Sequence, residues 1–247
     1  MTATLRPHVH ALSAHPLDCH VYLLDGGDEL ALVDAGAGLD PDGLLEDVRE
    51  LGYEPRRIRK LLLTHGHGDH AAGAAALGRR LPGLEILAAP AAREWLETGD
   101  EEALSVAPAR RAGIYPPEFR LEPCTVEGQL VAGEDVRVGA LRLEVIDTPG
   151  HCRGHVSLLL AHGGHRDLFA GDAIFAGGRV ALQPIHDCDI GDTTRTLRRL
   201  REVPLDGLMA GHGEVVLAGA DAHVERANRA LDQLLLPEPL NTPEAGA

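Results

Sequence analysis

The segment Arg59-Lys60-Leu61-Leu62-Leu63-Thr64-His65-Gly66-His67-Gly68-Asp69-His70 passes in one step from an apolar run to a dense set of polar side chains. Residues 59–63 read as a short strand and residues 69–80 (DHAAGAAALGRR) as an Ala-rich helix. The polar set therefore sits on the loop between them, where side chains can converge on one pocket. His65, His67, Asp69 and His70 carry imidazoles and a carboxylate, the natural nitrogen and oxygen donors for Zn, Fe or Mn. Gly66 and Gly68 allow backbone turns that bulkier residues resist. In that arrangement His65 and His67 can face one metal while Asp69 and His70 face a second. The chain's own residue frequencies give on the order of 0.003 chance occurrences of such a run, so a merely solvated polar loop is a poor account of it.

Four donors cannot close two metal sites, so others must come from elsewhere in the chain. Three later segments share one form, an apolar strand ending in small residues with a donor at its tip. They are VIDTPGH ending at His151, LFAGD ending at Asp172 and LMAGH ending at His212. Each alone reads as an ordinary strand-end cap or turn. Together they repeat the placement of the first motif and point to the same pocket.

Outward from these motifs, residues 20–25 (HVYLLD) and 29–34 (ELALVD) read as a hairpin turning at Gly26-Gly27-Asp28. Helical spacing recurs at 40–52, 90–97, 100–111, 192–201 and about 218–235. Strand patterns fall at 84–88, 124–126, 129–132, 136–138, 141–147, 155–160, 166–170 and 207–210. Strands and helices thus come in two successive sets, which suggests two sheets with helices on their outer faces. No long linker or fixed-period repeat interrupts the 247 residues, and one domain over 1–247 is expected, with a metal-binding core over about 18–213 and a C-terminal helix and loose tail over 214–247.

Composition is that of a globular chain, 44% hydrophobic and 25% charged. A net charge of −15 opposes binding to nucleic acid backbones and anionic membrane surfaces. No run has the length of a membrane span and the start lacks the form of a signal peptide. Cys19, Cys124, Cys152 and Cys188 are scattered, as befits the reduced thiols of a cytoplasmic protein.

The order H-x-H-x-D-H, TPGH, GD, GHG resembles the metallo-β-lactamase superfamily from about residue 18 to residue 213. The resemblance implies an α/β fold, a four-layer αβ/βα sandwich of two mixed sheets with the site at one edge. It implies a first metal on His65, His67 and His151, a second on Asp69, His70 and His212, and Asp172 bridging both. Two divalent ions, zinc first and Fe or Mn as alternatives, would share a hydroxide made nucleophilic at neutral pH. Asp69 would then accept or shuttle the proton. The full set with Asp172 looks like the glyoxalase II branch, whose GD-x-x-F…GR segment Gly171–Phe175 and Gly177–Arg179 resemble. Lactonases of this fold often have Tyr where Phe175 stands, and a phenylalanine has no hydroxyl to hold a carbonyl. Only 35 residues follow His212, too few for the branch's helical C-terminal domain.

The expected activity is hydrolysis of an ester, thioester or lactone in a small-molecule substrate. A different class, an iron-dependent persulfide dioxygenase with two His and one Asp on a single metal, also resembles this branch. A third reading, a non-catalytic metal-binding scaffold, predicts a missing ligand where this sequence has all seven. Asp34 and His155 are expected to support the ligands from behind. Phe175, His186 and Asp187 are candidates for the substrate mouth, Cys152 and Cys188 read as ordinary buried thiols, and His8, His10, His15, His162, His165 and His223 carry no role.

Overall fold

Val21–Asp25 (β3) and Leu30–Val33 (β4) are apolar on both faces and buried on both, and such strands demand a packed layer on either side. The computed structural model describes residues 2–12 and 15–240 and supplies those layers. One sheet has seven strands in sequence order, adding Ala3–Arg6 (β1), Val9–Leu12 (β2), Ile58–Leu62 (β5), Glu85–Ala88 (β6) and Gly128–Gln129 (β7). It is antiparallel from β1 to β4 and parallel from β4 to β7. The second has five strands, ordered Gly207–Ala210 (β12), His165–Gly171 (β11), Val156–His162 (β10), Leu141–Asp147 (β9) and Asp135–Val138 (β8). Only β11 and β12 run parallel there.

Three cores fill the spaces between layers, and strand alternation sorts residues among them. On β4, Leu30 and Leu32 face helices Pro41–Glu50 (α1) and Ala74–Arg80 (α3), packing with Leu44, Leu45, Val48 and Leu77. Ala31 and Val33 face the other sheet, where Leu143, Leu158, Phe169 and Met209 meet them. Leu168, Leu208 and Ala210 face outward onto Leu197 and Leu200 of Ile190–Arg201 (α6) and Val224 and Ala227 of Ala220–Asp232 (α7). The result is the helix–sheet–sheet–helix sandwich that the sequence predicts.

Several elements differ in detail. The helix expected over 69–80 is broken into Gly68–Ala71 (α2) and α3. Gly73 packs so closely on the Ala35 carbonyl that a Cβ would lie 2.0 Å from its oxygen, and its N–H donates to the Gly36 carbonyl at 3.0 Å. Pro90–Thr98 (α4) forms as expected, but the helix at 100–111 shrinks to Val106–Arg111 (α5). The Asp100 carboxylate accepts from the Glu102 and Ala103 amides and holds the start of that stretch as turns. Residues 124–126 form no strand and 129–132 reduces to β7, because the Glu127 side chain takes the Ile86 N–H at 2.9 Å. Strands β1 and β2, the second interrupted by His10, escape the sequence reading.

The tail is held as far as Leu240, where Val180 N–H donates to Glu238 and Leu240 N–H to Val180. Residues 241–247, in the stretch expected to be loose, lie outside the described residues. Among the described residues no helix is long and apolar enough to cross a membrane. Strands β4, β5, β9, β11 and β12 all end at one edge of the sandwich, and every candidate donor follows one of them. The C-terminal ends of strands are the usual place for a site in such folds.

Candidate metal centre

The two sheets are stapled at this edge by main-chain bonds. Val156 N–H donates to the Thr64 carbonyl at 2.8 Å, and His20 N–H to Gly211 at 2.7 Å. The Tyr22 hydroxyl donates to the Ala210 carbonyl at 2.6 Å. Gly211 allows the closest approach, since a Cβ there would lie 2.3 Å from Asp172 Oδ1 and 2.7 Å from His70 Cε1. The loop after β5 therefore meets the ends of β9, β11 and β12, and the seven donors face one another.

Three imidazoles are oriented from behind by a bond to Nδ1. His65 Nδ1 lies 3.0 Å from Thr64 Oγ1, His70 Nδ1 donates to Asp34 Oδ2 at 2.9 Å, and His151 Nδ1 donates to the Ala181 carbonyl at 3.0 Å. Each bond fixes the ring and leaves Nε2 turned inward, as ligand histidines require. Asp34 is 2% exposed and also accepts from the Thr64 amide at 2.7 Å and the Thr64 hydroxyl at 2.8 Å. His155 accepts from the Asp172 amide through Nε2 at 3.0 Å and donates through Nδ1 to Thr148 Oγ1 at 2.9 Å. Thr148 is bonded in turn to Ser157, so a buried chain of hydrogen bonds supports the turn at Asp172.

Inside this frame the donors fall into two groups joined by one carboxylate. His67 Nδ1 and His151 Nε2 are 2.9 Å apart beside the buried His65 Nε2. His212 Nε2 lies 3.0 Å from Asp69 Oδ2 and 3.4 Å from His70 Nε2. Asp172 stands between the groups, Oδ1 at 3.4 Å from His70 and Oδ2 at 3.5 Å from His151 and 3.6 Å from His212. Asp69, His70 and His212 offer donor atoms within 4.8 Å of one another, and so do His65, His151 and Asp172.

His65 Nε2, His67 Nε2 and Asp172 Oδ1 are buried without a hydrogen-bond partner. His67 faces the focus through Nδ1, so His65 Nε2 and Asp172 Oδ1 are the orphaned atoms there, and such atoms are costly unless something else satisfies them. Burial, and then the charges of neighbouring imidazoles, holds His65 far below the ordinary histidine range and His67 down to about 3. Both rings are therefore neutral, with a lone pair to give. Burial opposes ionisation of Asp69 and Asp172, but the charges of His70 and His212 outweigh it and keep both carboxylates ionised. Burial likewise opposes charge on His70 and His212, and the carboxylates around them raise both. The centre demands positive charge, and its neutral imidazoles and ionised carboxylates fit divalent cations.

The remaining candidates lie farther out. Phe175 is in the outer core rather than at the mouth, 1% exposed, with its ring 6.4 Å from that of His212, because the chain turns inward after Asp172. The His186 side chain is 53% exposed on the rim. The Asp187 side chain is 4% exposed, and its Oδ2 accepts from the Arg153 amide at 3.0 Å.

Sequence reasoning missed two residues at the site. The Tyr115 hydroxyl donates to Asp69 Oδ1 at 2.7 Å and accepts from the Asp69 amide at 3.2 Å, while its ring stacks on Phe119. Burial and the Asp69 carboxylate raise Tyr115 well above the usual phenol range, so it remains a donor. His20 sits at the seam beside His212, and burial and the His212 charge push it down to about 4. The only signal for either is a ring-bearing residue in a segment without periodicity.

The sequence profile described as the Metallo-beta-lactamase superfamily matches residues 15–212. A hydroxyacylglutathione hydrolase of Chelativorans sp. (strain BNC1) is 31% identical over 183 residues, 74% of this chain and 56% of that protein. Another, from Anaeromyxobacter dehalogenans (strain 2CP-C), is 35% identical over 161 residues, 65% of this chain and 48% of that protein. The chain thus spans about half the length of these curated relatives. Among solved structures, a metallo-beta-lactamase of Cronobacter sakazakii superposes with a TM-score of 0.75 at 21% identity, covering 95% of this chain and 97% of the other. A subclass B3 metallo-beta-lactamase of Bradyrhizobium japonicum gives 0.74 at 19%, covering 94% and 91%. At those identities the likeness is one of fold.

Proposed function

Because the chain belongs to the metallo-beta-lactamase superfamily, we propose that it is a dinuclear metal-dependent hydrolase cleaving an ester, thioester or lactone in a small molecule. One observation carries this reading: seven donors from two sheets converge on a buried focus where His65 Nε2 and Asp172 Oδ1 have no protein partner. His65, His67 and His151 would hold a first divalent ion, Asp69, His70 and His212 a second, with Asp172 between them. Such a pair, zinc being the first choice for this donor set, supplies a hydroxide at neutral pH and polarises a carbonyl.

The protein's own groups do the rest. Asp34 and the Ala181 carbonyl hold His70 and His151 in the tautomer that faces inward. Tyr115 holds Asp69 through Oδ1, with Oδ2 3.0 Å from His212, and the Asp69 carboxylate would hold or shuttle a proton at the site. Asp69 and His212 keep 20% and 26% of their side chains exposed, so a substrate carbonyl reaches the centre from that side. The hydroxyacylglutathione hydrolase relatives support the glyoxalase II-like branch and a thioester among the candidate substrates. The charge of −15 supports a partner other than nucleic acid, and four free thiols support a cytoplasmic setting.

The test is metal analysis of the purified protein paired with a screen of aryl esters, thioesters and lactones. Two equivalents of metal and hydrolysis lost on chelation are expected. One equivalent of iron, oxygen uptake with a persulfide and no hydrolysis would overturn the reading in favour of a dioxygenase.

Tyr115→Phe should weaken the second cation by about tenfold, with the first unchanged, through loss of the bond that orients Asp69. Competition titration with a chromophoric chelator reads both affinities. Equal weakening at both positions would mean that Tyr115 only packs the loop.

A further inference from the structure

A cleft of about 470 Å3 runs beside the helical segment that carries Asp69, a size suited to a small molecule. Its floor includes Ala72 and Ala76, three and seven positions after Asp69. The backbone stays right-handed helical through Ala72 and Gly73, so these side chains continue the Asp69 face. One wall is Phe119, whose ring stacks on Tyr115 at 4.5 Å, and the Tyr115 hydroxyl holds Asp69. A second wall includes Leu17, two residues before Cys19, whose N–H donates to the Asp69 carbonyl at 3.1 Å. Both walls are therefore anchored on Asp69, and the Asp69 side chain is itself 20% exposed.

The cleft is built in advance of any occupant. The Asp18 carboxylate accepts from the His15 amide at 2.7 Å and the Ala37 amide at 2.6 Å, which ties the Leu17 loop to the next part of the lining. Gly38 closes on the helix so tightly that a Cβ there would lie 2.8 Å from Gly73 Cα. A preformed site spends little binding energy on ordering itself. Its chemistry is equally one-sided. The residues nearest Asp69 in the chain and in contact are alanine, leucine and phenylalanine, and the charged lining residues cancel, Arg79 and Arg120 against Glu118 and Glu122. Arg79 is already paired with Glu122 at 2.6 Å, and Arg120 donates to the Pro117 and Phe119 carbonyls. Such a surface selects an uncharged apolar chain over an ion.

We infer that this cleft is the subsite for the acyl part of the substrate, which narrows the substrate class to an ester or thioester of an uncharged, medium-length apolar acid. The inference rests on the hydrolase reading above. With the scissile carbonyl beside Asp69, the chain lies over Ala72 and Ala76 between Leu17 and Phe119 and points toward Arg79. Ala76 is the residue that sets how long a chain the floor accepts. It lines the cleft and belongs to none of the three apolar cores, so a larger side chain there fills the cleft without displacing the fold.

The experiment is an acyl series on the full chain, acetyl, butanoyl, hexanoyl and octanoyl, as esters and thioesters of one leaving group each. In wild type kcat/KM should rise with chain length, by up to about fourfold for each methylene that enters the cleft. Ala76→Phe should lower it by at least about tenfold for the octanoyl substrates and leave the acetyl substrates unchanged. Calorimetric titration with octanoate gives a readout apart from turnover: binding to wild type is expected, and its loss in Ala76→Phe. Hydrolysis with equal kcat/KM along the series would overturn the cleft assignment and leave the hydrolase reading standing. So would a gain that follows the length of the leaving group instead of the acyl chain. Turnover of no ester or thioester would overturn both. The wild-type series decides even if the variant misfolds.

Discussion

Asp172→Ala should reduce metal content from two equivalents to one or fewer and lower kcat/KM by at least about a thousandfold, roughly 4 kcal/mol of transition-state stabilisation. Its Oδ2 lies near His151 of one group and His212 of the other, and its Oδ1 near His70, so among the candidate donors it is the carboxylate placed between the two positions. The loss would not come from unfolding. The structural bond at this turn runs from the Asp172 amide to His155 Nε2, and alanine keeps that amide. Inductively coupled plasma analysis, circular dichroism and a rate measurement on one preparation check the expectation. Normal turnover with two metals bound would remove the bridging role.

Asp34→Ala is expected to have the largest effect on stability, about 4 kcal/mol, or about 10 °C in Tm for a chain of this size. The carboxylate is buried and accepts from the Thr64 amide, the Thr64 hydroxyl and His70 Nδ1, so its removal strands several donors at once. The backbone adds to the cost. Asp34 has φ 63°, a left-handed conformation that Asp and Asn tolerate and alanine resists. Asp34→Asn should therefore recover most of the lost Tm. It should still weaken the second cation by about 10- to 100-fold, because an amide no longer fixes the His70 tautomer. Thermal melts of the metal-free variants, set beside metal titrations, separate the two effects. Recovery of both by asparagine would reduce Asp34 to a turn residue.

The donors were legible in the sequence for a physical reason. Four of them crowd into one short loop, and the other three each end an apolar strand with a small residue before the donor, a pattern that chain geometry imposes on strand-end sites. The layered fold was legible because residues 21–25 and 30–33 are apolar on both faces and can only be interior strands. Residues outside such local patterns were not. Tyr115 reaches Asp69 from 46 positions away in a segment without periodicity, and only the stack on Phe119 places it. The hydroxyls of Thr64, Thr148 and Ser157 look like any strand-end residues until the sheets are brought together. Phe175 misled because its place in the motif says nothing about which way the chain turns after Asp172. Similarly, the break near Gly73 depends on the Ala35 carbonyl, a contact no helical periodicity contains.

The donors are divided between halves of the chain that are otherwise separate sheets. His65, His67, Asp69 and His70 ride on the first sheet, and His151, Asp172 and His212 on the second. A cation held by both would act as a rivet across the seam, so separating the sheets would require its release. Thermodynamic linkage would then make the metal supply a determinant of the protein's lifetime as well as of the proposed activity. At a free concentration one hundred times the dissociation constant, one ion adds about 2.7 kcal/mol to folding. A cell short of metal would hold a chain whose two halves part more readily at this edge, exposing the apolar strands between them to proteases and to aggregation. Scarcity would thus clear the idle chain as well as silence the proposed activity.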